Sequence, residues 1–250
     1  MNVRVEASPC GASDGWPAVA LRETCRVALD GTVPLWPFHR RRLVAGGVGR
    51  AALDAVDEAV RDALAQLPER ISSRTRLTVE ISAQTGVVVA VQRRLSSLDA
   101  PSGVVGVPVV VDALPKLPPG AAKPADRAYW DDAQRAAAAA GGNQAILVDS
   151  DGRVIDGGTA AIVVRRGREA LTPPSPPAVA SVALAWLLER AADFGVAIRA
   201  EPFALSELEA ADEIVYLNAY GGARADRRGA DALAQAIQAE LDCMWRVERG

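Results

Sequence analysis

The sequence predicts a mixed fold of the α+β and α/β classes built from two domains, and three observations support this prediction. Half of the 250 residues are apolar, which is enough to bury a sizeable core. Apolar residues recur with the two-residue period of strands in some segments and with the 3.6-residue period of helices in others. The proline-rich stretch PKLPPGAAKP, residues 115–124, separates two such series and predicts a loop between domains.

The first half of the chain is typical of an α+β unit with antiparallel strands. A turn is predicted at Asp30-Gly31, because this dipeptide favours the left-handed backbone of tight turns. In the helix predicted next, Leu53, Val56 and Val60 recur on one face. The predicted elements are two strands at 19–36, a helix beginning at His39, a helix at 51–67, two strands at 74–94 and a strand at 103–111.

The second half alternates strands with helices. A turn at Asp151-Gly152 separates the first two of its strands, and Gly195 is expected to end the apolar helix. The predicted elements are a helix at 125–140, strand–turn–strand pairs at 144–158 and 160–174, a helix at 181–196, a short helix and strand at 207–222, and a helix at 229–245.

Composition excludes several classes of function. The net charge of −3 is spread along the chain, so neither a nucleic-acid surface nor a membrane surface is expected. No apolar run approaches the roughly 18 residues that span a bilayer, and the charged start of the chain does not resemble a signal peptide. A cytoplasmic location is therefore expected. With one histidine and three scattered cysteines, no metal site is expected.

The chain contains only two lysines, Lys116 and Lys123, against 26 arginines. The distinction matters chemically, because a guanidinium stays protonated whereas a lysine amine can lose its proton and act as a nucleophile or base. Both lysines lie within the proline-rich stretch at 115–124. Lys116 reads as a solvated surface charge.

Three segments, in order, resemble one family of enzymes. They are ETCRVALDGTVPLWPFHRRRL at 23–43, the stretch at 123–156 that begins KPADRAYW and ends GRVID, and ELEAADEIVYLNA at 207–219. They are similar to motifs of the fold-type IV pyridoxal-phosphate enzymes, which comprise the class IV aminotransferases and the aminodeoxychorismate lyases. The resemblance implies the two-domain fold of the D-amino acid aminotransferases, with domains at 1–114 and 123–250 and an interdomain loop at 115–122.

The resemblance also implies roles for individual residues. Lys123 would bind pyridoxal 5'-phosphate covalently and act as a general base, which suits an amine of lowered pKa. Arg42 would bind the cofactor phosphate, and His39 at the same motif would be structural. Asp156 would pair with the pyridine nitrogen and keep it protonated, so that the ring accepts electrons. The remaining implied residues are Thr159, Ser181, Val182, Asn218 and Ala219 for the cofactor, and Arg26 and Arg127 for a substrate carboxylate.

The sequence departs from the family pattern at three places. Asp156 is one methylene shorter than the usual glutamate, Ala161 replaces an asparagine, and Ser181-Val182-Ala183 stands where a Gly-Ile-Thr turn binds phosphate. Backbone amides at a helix N-terminus still bind phosphate without the threonine. These departures keep open the interpretation that the chain is a non-catalytic homologue of the fold.

The pair Asp126-Arg127 that follows Lys123 resembles the lyase members of the family. It implies a 4-amino-4-deoxychorismate lyase that eliminates pyruvate to give 4-aminobenzoate. The alternative is a transaminase that acts on branched-chain or D-amino acids through the same lysine. The resemblance also implies a homodimer, with a small-molecule substrate and no nucleic-acid or membrane partner.

Overall fold

A computed structural model describes residues 2–7, 15–68, 71, 74–93 and 103–246. They fall into two compact units. The first unit draws on residues 1–97, 118–126 and 241–250, and the second draws on 98–117 and 127–240. The chain thus returns to the first unit at 118 and again at 241, so that Lys123 belongs to the first unit. The domain boundaries inferred from the resemblance stay a prediction.

The first unit contains a four-stranded antiparallel sheet in the order β1-β4-β3-β2. Its elements are β1 Asn2–Ala7, β2 Leu21–Val27, β3 Thr75–Ser82, β4 Gly86–Arg93, α1 Trp36–Ala45 and α2 Arg50–Ala65. The predicted helix at 51–67 is confirmed as α2. Its Leu53, Val56 and Val60 lie in one buried cluster with apolar side chains of the sheet. Burial of each of these side chains contributes about 1.5–3 kcal/mol to the stability of the fold relative to an exposed side chain.

Strand β2 has two different faces. Residues Leu21, Glu23, Cys25 and Val27 are buried, whereas the residues between them are half-buried. Successive side chains of a strand point to opposite faces, so the intervening Arg22, Thr24 and Arg26 share the less buried face. Strand β2 therefore presents one polar face and one buried face that carries a single carboxylate.

The prediction of a second strand within 19–36 is wrong, because the chain turns there directly into α1. The Asp30 carboxylate accepts hydrogen bonds from the backbone N–H and the hydroxyl of Thr32, at 2.8 and 2.7 Å. This local bonding competes with strand pairing. Helix α1 begins at Trp36, three residues before the predicted start at His39, and Pro37 fixes φ in its first turn.

The second unit contains two sheets, one of five strands in the order β10-β9-β8-β11-β12 and one of three strands in the order β5-β6-β7. The strands are β5 Gly106–Val110, β6 Gln144–Val148, β7 Val154–Gly157, β8 Ala161–Arg166, β9 Glu169–Thr172, β10 Ala197–Ala200, β11 Glu213–Asn218 and β12 Gly222–Ala225. The helices are α3 Ala128–Ala139, α4 Val182–Glu189 and α5 Ser206–Glu209. Helix α6, Ala232–Trp245, begins in the second unit, and its residues from 241 onward belong to the first unit.

The apolar helix predicted at 181–196 is shorter in the structure. Helix α4 ends at Glu189, a 3-10 turn follows at Ala191–Phe194, and Gly195 adopts a left-handed conformation with φ of 65°. Glycine reaches this conformation without the steric cost that other residues meet. Gly195 therefore ends the 3-10 turn, whereas α4 itself ends at Glu189, before the predicted stop. The chain then enters β10, a strand that the sequence pattern did not predict.

Helix α3 packs on the three-stranded sheet, and its apolar side chains cover the strand that carries Asp156. Trp130, Ala133 and Ala137 of α3 are buried in one cluster with Leu147 of β6 and Ile155 of β7. Asp156 therefore lies inside the unit and is only 6% exposed.

Within the described ranges, none of the helices combines the length and the apolar character that crossing a bilayer requires. The same residues contain no group of three or more His, Cys, Asp or Glu side chains arranged to hold a metal ion.

Candidate active site

Lys123 lies on a segment of the first unit that runs beside β2. Its carbonyl accepts a hydrogen bond from the Arg22 N–H at 2.9 Å, and the Ala125 N–H donates to the Ala20 carbonyl at 2.8 Å. These bonds fix the backbone on both sides of the lysine. The half-buried side chain then places Nζ 3.2 Å from the Thr24 hydroxyl, to which it donates. Sequence analysis assigned no role to Thr24, although the alternation along β2 placed it on the polar face.

Arg26 lies two residues further along the same face of β2. Its guanidinium carbon is 4.0 Å from the centre of the Trp245 ring, a distance typical of a cation–π contact. The contact holds the guanidinium against an aromatic surface of the first unit. The predicted substrate ligand Arg26 and the predicted base Lys123 thus flank Thr24 in this unit.

Arg42 is held by a buried carboxylate on the opposite face of β2. Its Nε donates to Oε1 of Glu23 at 2.9 Å and its Nη2 donates to Oε2, the two-pronged arrangement that suits a guanidinium and a carboxylate. Nδ1 of His39 lies 2.6 Å from the same Oε2. Since His39 and Arg42 are three residues apart on α1, they share one helix face.

The charges of this cluster are well defined. Burial by itself would raise the pKa of Glu23, but the charge of Arg42 and the hydrogen bonds from Arg42 and His39 oppose burial, and the pKa is lowered to about 2. Burial lowers the pKa of His39 against the opposing effect of Glu23. At neutral pH the imidazole is therefore uncharged and its Nδ1–H donates to Glu23. The structural role predicted for His39 agrees with this geometry.

Asp156 lies next to the last residue of strand β7 in the second unit and accepts three hydrogen bonds. Its Oδ1 accepts from the Gly157 N–H at 2.8 Å, and its Oδ2 accepts from the Val179 N–H at 3.1 Å and from Nε1 of Trp130 at 3.2 Å. Burial raises the pKa of Asp156 to about 6, although these bonds and the charge of Arg127 oppose it. The carboxylate is thus fixed in direction and ionises close to neutrality.

Arg127 is anchored beside this carboxylate rather than extended into solvent. Its Nη2 donates to the Gly158 carbonyl at 2.8 Å, and its guanidinium carbon lies 4.7 Å from the centre of the Trp130 ring. The role in substrate binding stays a prediction. The observed contacts give Arg127 a second task, that of supporting Trp130 and Asp156.

The predicted phosphate-side residues lie at the ends of two elements that pack together, α4 and β11. Ser181 caps α4 by accepting from the Leu184 N–H at 3.3 Å, and Val182 opens the helix. Asn218 ends β11, and its Oδ1 accepts from the N–H groups of Tyr220 and Gly221 at 3.1 and 2.6 Å. Because helix N-termini carry unpaired N–H groups, this end of α4 suits an anion.

Two further predicted residues differ in their surroundings. Thr159 is exposed, and its hydroxyl donates to Oε1 of Gln144 at 2.6 Å. Ala219 is buried. Because its side chain is a methyl group, it can offer only backbone groups to a ligand. The second unit therefore contains Asp156, Thr159 and the ends of α4 and β11. The first unit contains Lys123, Arg42 and Arg26.

Each unit by itself carries groups that suit pyridoxal phosphate. The first unit has a half-buried primary amine with a hydroxyl partner, which suits an aldehyde. The second unit has a buried carboxylate, which suits a pyridine nitrogen, and a helix N-terminus, which suits a phosphate. The sequence pattern of the amino-transferase class IV family matches residues 20–225. The chain belongs to this family of pyridoxal-phosphate-dependent enzymes, and its cofactor is pyridoxal 5'-phosphate.

Solved structures share the fold at low sequence identity. A hypothetical aminotransferase from Mycobacterium tuberculosis in its apo form superposes with a TM-score of 0.74 at 19% identity, covering 100% of both chains. The 4-amino-4-deoxychorismate lyase from Pseudomonas aeruginosa gives 0.68 at 19% identity, covering 97% of this chain and 98% of that one. The branched-chain amino acid aminotransferase from Escherichia coli gives 0.71 at 17% identity, covering 93% and 86%. No curated protein sequence shows a significant match.

Proposed function

We propose that the chain is a 4-amino-4-deoxychorismate lyase, which eliminates pyruvate from its substrate to give 4-aminobenzoate. The observation that carries this proposal is the hydrogen bond of 3.2 Å between Nζ of Lys123 and the Thr24 hydroxyl. An elimination needs one group that removes a proton and another that returns a proton to the departing oxygen. A lysine and a hydroxyl in direct contact form such a pair.

The cofactor, when bound, withdraws electrons from the carbon that carries the substrate amine. Lys123 would remove the proton from that ring carbon. The bond between the neighbouring carbon and the enolpyruvyl oxygen would then break, and the ring would become aromatic. Thr24 would donate a proton to the departing oxygen and recover one from Lys123. The product side thus consists of pyruvate and 4-aminobenzoate, and no external oxidant or reductant is needed.

We assign the cofactor ligands from the groups already described. Lys123 would hold the cofactor covalently and Asp156 would face its pyridine nitrogen. Arg42 and the N-terminus of α4 at Ser181-Val182 would bind the phosphate. Asn218, Ala219 and Thr159 would complete the ligand set, and Arg26 and Arg127 would bind substrate carboxylates.

The family match also supports a second candidate, amino transfer to or from a branched-chain or D-amino acid. Lys123 would remove the same proton in both reactions. A transaminase returns the proton to the cofactor and releases a keto acid, so it has no use for a proton donor at a departing oxygen. The contact of Lys123 with Thr24 therefore favours the lyase.

The first experiment is an absorbance spectrum of the purified chain with added cofactor. We expect a band at roughly 410–420 nm, as for a cofactor bonded to a lysine. The substitution Lys123→Arg should abolish the band and the turnover, because a guanidinium neither bonds to the aldehyde nor releases a proton. Lys116→Arg is the matched control and should change neither. A wild-type chain without the band would contradict both enzymatic candidates and favour a non-catalytic homologue.

The second experiment separates the two reactions. The wild-type chain is supplied with aminodeoxychorismate, and pyruvate is detected through a coupled assay. Keto acid release from branched-chain or D-amino acids, without pyruvate from aminodeoxychorismate, would identify a transaminase instead. We further propose that the enzyme acts as a cytoplasmic homodimer, and light scattering of the purified chain tests its mass.

A further inference from the structure

The Trp130 indole and the Asp156 carboxylate form a buried hydrogen bond in the second unit. Nε1 donates to Oδ2 at 3.2 Å, Trp130 is 3% exposed and Asp156 is 6% exposed. Helix α3 supplies the tryptophan two residues after its start, and β7 supplies the aspartate. The bond therefore joins two elements that otherwise meet through apolar contacts.

The indole is held in a single orientation by its neighbours. The guanidinium of Arg127 lies over its face at 4.7 Å, and Tyr129 packs against it edge-on at a centroid distance of 5.1 Å. Arg127 is itself anchored by its hydrogen bond to the Gly158 carbonyl at 2.8 Å. A tryptophan that only filled space would not need a fixed direction for its N–H.

The other two donors to Asp156 are backbone N–H groups, from Gly157 and Val179. These remain whatever side chains the sequence carries, whereas the indole donor depends on one residue. Each donor favours the charged carboxylate, and so does the positive charge of Arg127. The other titratable group that faces Asp156 is Tyr129, whose pKa is raised to about 12 by burial and by Asp156, so it is neutral over the working range.

We propose that Trp130 is a positioning residue, which orients the Asp156 carboxylate and keeps it ionised for the pyridine nitrogen of the cofactor. The inference rests on the proposed function, in which Asp156 faces that nitrogen. A protonated Asp156 would not stabilise a protonated pyridine, so a lost donor would weaken cofactor binding at and below the pKa of Asp156 and leave it unchanged well above that pKa. No local sequence pattern identifies Trp130, because the aspartate that it contacts is 26 residues away.

The first test measures the ionisation of Asp156 without cofactor. Wild type and Trp130→Phe, each with and without Asp156→Asn, are melted between pH 4 and pH 9. For each background, the difference in Tm between the chain with Asp156 and its Asp156→Asn variant is plotted against pH. The midpoint of the change in this difference reports the pKa of Asp156. In the wild type we expect this midpoint near 6. In Trp130→Phe it should move upward by about one pH unit, since a hydrogen bond to a charged group is lost while the aromatic packing is kept.

Trp186→Phe is the matched control. Trp186 is also buried in the second unit, where it packs edge-on against Phe194 at 6.0 Å. Its replacement should lower Tm without moving the midpoint. An unmoved midpoint in Trp130→Phe would overturn the inference.

A second measurement keeps Trp130 in place. The wild-type chain is labelled with 5-fluorotryptophan, and its fluorine resonances are followed by NMR against pH. The Trp130 resonance is assigned by elimination, with Trp→Phe variants of the other four of the five tryptophans. It should titrate with the midpoint of Asp156 and should stop titrating in Asp156→Asn. If the Trp130 resonance titrated in the same way in wild type and in Asp156→Asn, the inference would be overturned even if Trp130→Phe failed to fold.

The last measurement connects Trp130 with the cofactor. Pyridoxal phosphate affinity should be about fivefold weaker in Trp130→Phe than in wild type at pH 6, where about half of Asp156 is ionised in the wild type and about a tenth in the variant. The two affinities should be nearly equal at pH 9, where Asp156 is ionised in both. Equal weakening at both pH values would indicate a merely structural role and would contradict the proposal. If the wild-type chain bound no cofactor, the proposed function would fail, whereas an unmoved midpoint would reject the Trp130–Asp156 coupling alone.

Discussion

Glu23 and Arg42 form a doubly hydrogen-bonded ion pair that is almost entirely removed from solvent in the first unit. The carboxylate is 1% exposed and the guanidinium is 9% exposed. His39 adds a third hydrogen bond to the same carboxylate. One buried glutamate therefore determines the orientation of the arginine that we propose for the cofactor phosphate.

We predict that Glu23→Gln lowers the free energy of unfolding by roughly 3 kcal/mol at pH 7, because it leaves the Arg42 charge buried without compensation. The pKa of Glu23 is lowered from 4.5 to about 2 in the folded chain. A lowered pKa contributes stability above the unfolded value, and this contribution is lost as the pH falls through the folded value. The difference between wild type and Glu23→Gln should therefore shrink between pH 4.5 and pH 2 in urea titrations.

Glu80→Gln provides the control for this experiment. Glu80 lies on β3 beside β2 and forms a more exposed ion pair with Arg22 at 3.5 Å. Exposed pairs contribute about 0–1 kcal/mol, so its removal should be almost neutral at every pH. A Glu23→Gln effect no larger than that of Glu80→Gln would contradict the assignment of a buried, ionised Glu23.

Arg42→Lys tests the guanidinium itself. A lysine keeps the charge but cannot form the two parallel hydrogen bonds to Glu23, so we expect a loss of about 1–3 kcal/mol in unfolding free energy. Since Arg42 is proposed to bind phosphate, the affinity for pyridoxal phosphate should fall about tenfold. Calorimetric titration measures both affinity and stoichiometry.

The adjacent Arg41 offers the matched control for Arg42. It is exposed and lies over the Phe38 ring at 4.3 Å. Arg41→Lys should cost at most about 1 kcal/mol and leave cofactor affinity unchanged. Equal affinities in Arg42→Lys and wild type would remove Arg42 from the phosphate site.

Thr24→Val tests the hydroxyl on which the lyase proposal depends. The side chain keeps its shape but loses the proton donor, so pyruvate formation should slow by about 100-fold or more. The absorbance band of the bound cofactor should persist, because Lys123 is retained. Thr24→Ser restores a hydroxyl and should recover much of the rate. A Thr24→Val chain with normal turnover would show that the departing oxygen takes its proton elsewhere.

A residue type that is rare in this chain could be recognised from the sequence. A residue whose role depends on its contacts in the folded structure could not. Lys123 could be found because it is one of two lysines and begins a family motif. Thr24 and Trp130 could not, because a threonine in a strand and a tryptophan in a helix are ordinary core or surface residues until their partners are known. The contact of Lys123 with Thr24 spans 99 residues, and no local pattern encodes such a distance.

The same limit applies to the fold. Helix α2 could be predicted because apolar residues recur on one helical face within one segment, namely Leu53, Val56, Val60, Leu64 and Leu67. Strands β10 and β12 were missed. Their sequences, AIRA and GARA, contain one β-branched residue, Ile198, and no aromatic residue, so they show little of the composition typical of strands. Strand β10 pairs in parallel with β9, and β12 pairs with β11. Their strand conformation thus depends on neighbours in the sheet.

Ser181 replaces the family's glycine in the phosphate turn, and its hydroxyl caps α4 through the Leu184 N–H. We predict that Ser181→Ala costs about 1 kcal/mol, which lowers Tm by roughly 2–4 °C in a chain of this size. Ser150→Ala, in the exposed turn between β6 and β7, is the control and should leave Tm unchanged. Because backbone N–H groups rather than the hydroxyl are proposed to bind phosphate, cofactor affinity should fall less than tenfold in Ser181→Ala. A larger loss of affinity with an unchanged Tm would mean that the hydroxyl binds phosphate directly, and the substitution of Gly-Ile-Thr by Ser-Val-Ala would then have moved the phosphate contact from a threonine to this serine.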